Sequence, residues 1–229
     1  MRKFNVAGNC VPNMHYMVDI SKKIDQIFLL VEDCSYFTIN RGRQYGKTTT
    51  IGMLEKHLPD EYICASISFQ DSSSKMFANE ERFCQGLLSR IYRSLLLEDK
   101  EEAKLWFDEY VTDFEKLDLF ISEKSRDKKI VLIIDESDKA SNNNLFVEFL
   151  GVLREKYLKR NAGKDNTFHS VILAGVYDIR NLKQKMILQG KYTPSIGESR
   201  MNSPWNIAVD FDIDMSFSAK EIEDRKSVV

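Results

Sequence analysis

Tyr36 to Thr50 reads YFTINRGRQYGKTTT, and the fold turns on how those residues are taken. Tyr36, Phe37, Thr38 and Ile39 form a short β-prone run, Asn40-Arg41-Gly42 breaks it, and Gly46-Lys47-Thr48 leads into a helical spacing of Ile51, Leu54 and Leu58. A strand, a loop closing on Gly-Lys-Thr and a helix make a phosphate cradle, because the unpaired N–H groups and positive dipole end of the helix face an anion. In such a cradle Lys47 reaches the outer phosphates and the Thr48 hydroxyl ligates Mg²⁺. The P-loop pattern asks for Gly, four residues, then Gly-Lys-Ser/Thr. Counting back from Gly46 puts the first glycine position at Arg41, and the chain's own glycine follows one step later at Gly42. Gly-Lys-Thr also arises by chance, so the reading needs a second motif.

Lys129 to Asp138, KIVLIIDESD, supplies it. An apolar, β-branched run bounded by charge is what a strand buried on both faces of a parallel sheet looks like. Acids at its carboxyl end fall where open α/β sheets bind ligands. Asp135 is placed to hold Mg²⁺ through water and Glu136 to polarise the attacking water. The alternative is that the two acids merely begin a loop or cap the next helix. Their order after Gly46-Lys47-Thr48 favours the joint reading.

With both motifs in place, RGRQYGKTTT and VLIIDESD resemble the AAA-like ATPases of the additional-strand P-loop class, and in particular a bacterial "AAA-like domain" family. Segments of the form YFTINR-RQYGKTT, VLIIDE-D, VILAGVYDI and SPWNIA-DF recur there in that order, and the resemblance runs from about Phe4 to about Ile222. That family tolerates Arg at the first glycine position. The resemblance implies an α/β, three-layer P-loop NTPase fold with a mainly parallel five-stranded sheet in the order 5-1-4-3-2. It also implies ATP as ligand, Mg²⁺ as its metal, and Arg41, Gly42, Arg43, Gln44, Tyr45, Gly46, Lys47, Thr48 and Thr49 around the phosphates. Tyr16, Met17 and Val18 become candidates for an edge against the adenine, or simply for packing the first helix onto the sheet. Ser68 or Gln70, at the end of an earlier strand, is a candidate restraint on Glu136. The strand at 169–177 (HSVILAGVY) is expected between the P-loop strand and the acid strand. Its end reads Gly175-Val176-Tyr177-Asp178, without the Asn, Ser or Thr of a γ-phosphate sensor. Arg180 and Arg200 are candidates for reaching the phosphate, the second as a finger toward a neighbouring subunit.

The chain has 229 residues, enough for one α/β domain with a proper core, and its formal net charge of -2 advertises no field for nucleic acid. A local basic strip is the exception to test: Arg154, Lys156, Lys159 and Arg160 form either such a strip or a solvated helix face. Cys10, Cys34, Cys64 and Cys84 have no CxxC spacing and read as buried free thiols of a reducing compartment. MRKFNVAGNC is not a secretory signal, and the apolar runs are too short to span a bilayer, so a cytoplasmic protein without a membrane partner is expected.

Along the chain, Asp19 or Ser21 caps a helix with an apolar stripe of Ile20, Ile24, Ile27, Phe28 and Val31. Residues 62–69 alternate as a strand. Residues 76–125 read as two long helices inserted between the second strand and the Asp-Glu strand, with Trp106, Phe107, Tyr110 and Phe114 either as core or as a partner-binding stripe. A surface loop is expected over 189–204, and WNIAVDFDIDMSFS as the last strand. The family continues with a helical lid that this sequence lacks. The expectation is therefore one domain over 1–223, cut short before its lid, with Asp224 to Val229 as an artefact whose residues a sequencing adapter can spell.

Functionally, Lys47 and Glu136 are the expected catalytic pair, with Thr48 and Asp135 as metal ligands, for ATP hydrolysis. The acid at Glu136 argues for water attack over kinase transfer. A slow nucleotide-gated switch, acting through a homo-oligomer or protein partner, is the other reading. A DNA-associated ATPase of a defence or mobile element rests on the family resemblance alone, and would need the basic strip.

Overall fold

The strand at Lys129–Asp135 (β3) is interior on both faces. Ile130, Leu132 and Ile134 enter one hydrophobic core while Val131 and Ile133 enter another, and all five are 0% exposed. This explains the unbroken apolar run, since a strand covered on one side only would alternate. Around it lie β1 (Tyr36–Asn40), β2 (Tyr62–Ser68) and β4 (Ser170–Gly175), in the order β1-β4-β3-β2 with every pairing parallel. The computed structural model describes residues 3, 10, 14–40, 42, 46–97, 99–107, 110–176, 205–211, 213 and 215.

Parallel neighbours require crossovers, and the helices supply them on both faces. Helices α1 (Ser21–Glu32) and α2 (Lys47–His57) close one face over Phe37, Ile39, Ile172 and Ala174. Helices α3 (Glu80–Leu95), α4 (Lys100–Leu105), α5 (Phe114–Lys124) and α7 (Asn144–Asn161) build the larger core on the other face, with the short α6 (Ser137–Ala140) following β3. The start of α1 is set by Asp19, whose Oδ1 accepts from the Ser21 N–H at 2.9 Å and its hydroxyl at 2.6 Å.

The described residues form four strands, and the expected fifth, over 205–218, lies partly outside them. The segment expected to open the fifth begins as a turn, closed by the Ala208 N–H to the Trp205 carbonyl, and makes a single parallel bridge from Val209 to Phe37 at the outer edge of β1. Trp205 is fully buried, with its indole N–H donating to Thr38 Oγ1 at 2.9 Å, so anchoring this ring takes the residues an alternating pattern assigns to a strand. The second long helix of the insertion is two: Asp113 caps α5 by accepting from the Lys116 N–H at 2.8 Å, and the chain turns between Trp106 and Asp113. The aromatic stripe divides accordingly. Trp106 is 0% exposed and stacks on Phe168, whereas Phe107 and Tyr110 are 64% and 76% exposed. Of the cysteines, all free, Cys64 and Cys84 are buried but Cys10 and Cys34 are partly exposed. Burial pushes the Cys84 thiol up to about 12. Among the described residues no helix is long and apolar enough to cross a membrane.

The proposed basic strip is not one continuous solvated face, because Lys156 is withdrawn from it. Lys156 is completely buried, with its ammonium donating to Ser122 Oγ at 2.6 Å, Asp165 Oδ2 at 2.9 Å and the Asp118 carbonyl at 2.9 Å. Arg160 donates to the carbonyls of Cys34, Phe168 and His169 at 2.7–2.8 Å. Arg154 binds Asn206 and Lys159 pairs with Glu155.

Removing the buried ammonium leaves Asp165 and Asp118 uncompensated, so Lys156→Ala is expected to destabilise the fold by about 3–5 kcal/mol in urea denaturation. Burial alone would raise the Asp165 carboxyl, but hydrogen bonds from Ser122, Lys156 and the Asn166 N–H hold it below its ordinary value. A depressed folded-state pKa stabilises the fold above the unfolded carboxylate range, and that stability is lost as pH falls through the folded value. Denaturation midpoints of the wild type should therefore drop on acidification toward about pH 3, more steeply than those of Lys156→Met.

Candidate functional site

All four strands being parallel, their carboxyl ends share one rim, and that rim is where β1 and β3 deliver their motifs. At the end of β1 the chain passes through Gly42, which is exposed, to Gly46. Gly46 has φ +75°, a left-handed conformation that L side chains adopt at a cost, and it stands as the last residue before α2. From there the Thr50 N–H donates to the Gly46 carbonyl at 2.8 Å and the helix runs on. Lys47, its first residue, is 8% exposed. The first turn of α2 thus brings its positive dipole end and a buried Lys47 to the rim.

Asp135, the last residue of β3, meets this turn. Burial raises its carboxyl above the usual range; the Glu136 N–H, the Lys47 charge and the Thr48 hydroxyl oppose that rise, and the neighbouring Asp138 charge adds to it. Lys47, Thr48 and Asp135, far apart in sequence, therefore converge on one spot. Glu136 follows in the left-handed region, at φ 52° and ψ 35°, with its N–H donating to Asp135 Oδ1 at 2.8 Å. A non-glycine residue held there is a local strain of the kind that clusters at functional sites.

The other expected site residues have the following surroundings. The Thr49 hydroxyl accepts from the Cys10 N–H at 3.3 Å, so it faces the N-terminal segment. The Tyr16 N–H donates to the Lys3 carbonyl at 3.0 Å, Met17 is partly exposed, and Val18 packs in the core shared with α1 and α2. Ser68 Oγ accepts from the Gln70 N–H at 3.1 Å, which turns both toward their own strand end. Arg41, Arg43, Gln44, Tyr45, Arg180 and Arg200 lie outside the described residues.

Four rim residues were not singled out by motif reading. Asn40 ends β1 with its side-chain Oδ1 buried and, among the described residues, without a hydrogen-bond partner. Gly175 ends β4 and pairs in register with Asn40. Ser137 is completely buried, its hydroxyl donating to the Ala174 carbonyl at 2.9 Å, and Asp138 Oδ1 accepts from the Val176 N–H at a longer 3.4 Å. Small polar residues beside an Asp-Glu pair carry no periodic signal, which is why the sequence passed over them.

No family model matches the sequence and no curated protein is similar to it. The fold is similar to that of a solved structure, the Walker-type ATPase PABY2304 of Pyrococcus abyssi. The TM-score is 0.55 with 12% sequence identity, covering 98% of this chain and 60% of that one. The chain thus spans about 60% of the length of that protein. At such identity the likeness is one of fold: an α/β, P-loop NTPase-like architecture.

Gly46→Ala meets open space, since nothing lies within 4 Å of the added methyl, yet it forces a left-handed alanine. It is expected to cost about 1–2 kcal/mol in chemical denaturation, through backbone conformation alone.

Proposed function

We propose that the chain binds ATP with Mg²⁺ at this rim and hydrolyses it, as a P-loop ATPase of AAA-like type. The observation that carries the reading is the meeting of Lys47 and Thr48, at the start of α2, with Asp135 at the end of β3. One hydroxyl and one carboxylate side by side suit Mg²⁺, which takes few protein ligands and fills its octahedron with water and phosphate oxygens. Thr48 and Asp135 would hold the ion, whose charge would offset that of the phosphates.

The chain's own groups account for the rest. Main-chain N–H groups from Gly46 into α2 bind phosphate oxygens, and Lys47 offsets the charge that builds on the transferring group. Glu136 orients a water molecule in line with the terminal phosphorus and accepts its proton. The water oxygen forms the new P–O bond while the bond to the bridging oxygen breaks and ADP departs. Arg41, Gly42, Arg43, Gln44, Tyr45 and Thr49 complete the phosphate loop, and Tyr16 and Met17 lie toward the base. A fifth strand along the free edge of β1, where Val209 already bridges Phe37, belongs to the same assignment. So do a cytoplasmic setting and a partner or second copy that responds to the nucleotide.

Calorimetry and steady-state hydrolysis test the proposal. Lys47→Ala is expected to weaken Mg-ATP binding at least tenfold, about 1.4 kcal/mol. Glu136→Gln is expected to keep that affinity and lower turnover by about 100-fold or more. Equal affinity of wild type and Lys47→Ala for Mg-ATP would refute the phosphate assignment.

A further inference from the structure

The turn that carries Glu136 is fastened on both sides, and one of its fasteners is the neighbouring strand. On the amino side the Glu136 N–H is held by Asp135 Oδ1 at 2.8 Å. On the carboxyl side the buried Ser137 hydroxyl donates to the Ala174 carbonyl at 2.9 Å, one residue before the end of β4. Asp138 Oδ1 accepts from the Val176 N–H, just beyond that end. Two further bonds close the turn itself: the Lys139 N–H to the Glu136 carbonyl at 2.9 Å, and the Ser141 hydroxyl to the Asp138 carbonyl at 2.7 Å. Glu136 is thus a strained residue whose conformation is dictated by neighbours on either side.

Gly175 makes this arrangement fit. A methyl group there would lie 3.0 Å from Asp138 Oδ1 and 3.2 Å from Ser137 Oγ, so both side chains use space that any other residue would fill. Its backbone does not require glycine, because its φ lies outside the left-handed range. Close approach alone explains it. The end of β4 accordingly offers no side chain of its own, and its main chain grips the turn that bears the acid.

We infer that Ser137 and Gly175 are positioning residues for Glu136: the carboxyl end of β4 clasps the β3 exit turn and fixes where the Glu136 carboxylate meets the attacking water. This rests on the hydrolysis reading above and adds to it a means by which β4 controls turnover without touching nucleotide. Misplacement of a catalytic group by an ångström costs up to about 100-fold in rate, whereas phosphate binding at Lys47 and Thr48 is built on another element, α2.

The test is steady-state hydrolysis and Mg-ATP calorimetry on the full chain, well below each protein's melting temperature, for wild type, Ser137→Ala, Gly175→Ala and Lys47→Ala. Ser137→Ala removes the bond to Ala174; Gly175→Ala keeps both partners but pushes them away. Each is expected to lower kcat by about tenfold or more while KM and Mg-ATP affinity stay within about twofold of wild type. Should Ser137→Ala fail to fold, Gly175→Ala carries the test. Wild-type kcat in the folded variants, or parallel loss of kcat and affinity, overturns the clasp and leaves the hydrolysis reading standing. Failure of the wild type itself to bind and hydrolyse Mg-ATP, with no difference from Lys47→Ala, overturns both.

Discussion

The meeting of Thr48 and Lys47 with Asp135 depends on a single constraint, that every strand of the sheet runs the same way. Parallel strands bring their carboxyl ends to one rim, and each must be followed by a helix that returns to the opposite edge. β1 therefore delivers its loop, and β3 its acids, to the same side of the molecule. With β4 between them, the ends of β1 and β3 stand two strand spacings apart, about 10 Å, and the first turn of α2 brings Thr48 back against Asp135. An antiparallel β1 would leave Gly46-Lys47-Thr48 and Asp135-Glu136 at opposite edges.

At the amino edge of the sheet several buried polar groups are paired within the protein, Ser125 Oγ excepted. Arg160 reaches the carbonyls just before β1 and β4, the Ser170 hydroxyl donates to the Ser35 carbonyl at 2.6 Å, and the Tyr36 hydroxyl lies 3.3 Å from Thr167 Oγ1. Burial of that phenol raises its pKa far above the usual tyrosine value. The carboxyl edge holds a left-handed Glu136, a carboxyl at Asp135 raised by burial, and a buried Asn40 Oδ1 with no hydrogen-bond partner among the described residues; left-handed Cys34 and Asp127 and the unpaired Ser125 Oγ precede β1 and β3. Buried polar groups are paired almost everywhere in folded proteins.

Away from the rim, charge is used to fix the helical layer. Lys156 lies inside the contact between α5 and α7, neutralised by Asp118 and Asp165, and Trp106 is oriented by Glu102, which also pairs with Lys128 at 2.6 Å. The insertion between β2 and β3 is thus tied to the sheet by specific polar contacts as well as by its apolar face. Its exposed aromatics, Phe107 and Tyr110, sit where the chain turns from α4 toward α5.

Sequence by itself determined the parallel α/β class, the strand-loop-helix around Lys47 and the buried strand ending in Asp135, because each is written in local periodicity and in residues with one dominant backbone preference. Tertiary structure alone decided the rest. Lys156 and Arg160 read as solvated cations until partners from α5, the loop before β4 and the segment before β1 enclosed them. A helical pattern across 100–124 could not show that Asp113 would cap a new helix, and an alternating run from Trp205 could not show that its indole would be drawn inward to Thr38. The clasp of Ser137 and Asp138 onto the end of β4 joins residues 37 and 38 positions apart. Such contacts depend on which strands become neighbours and how closely their backbones approach, and neither quantity is encoded in any short window of residues.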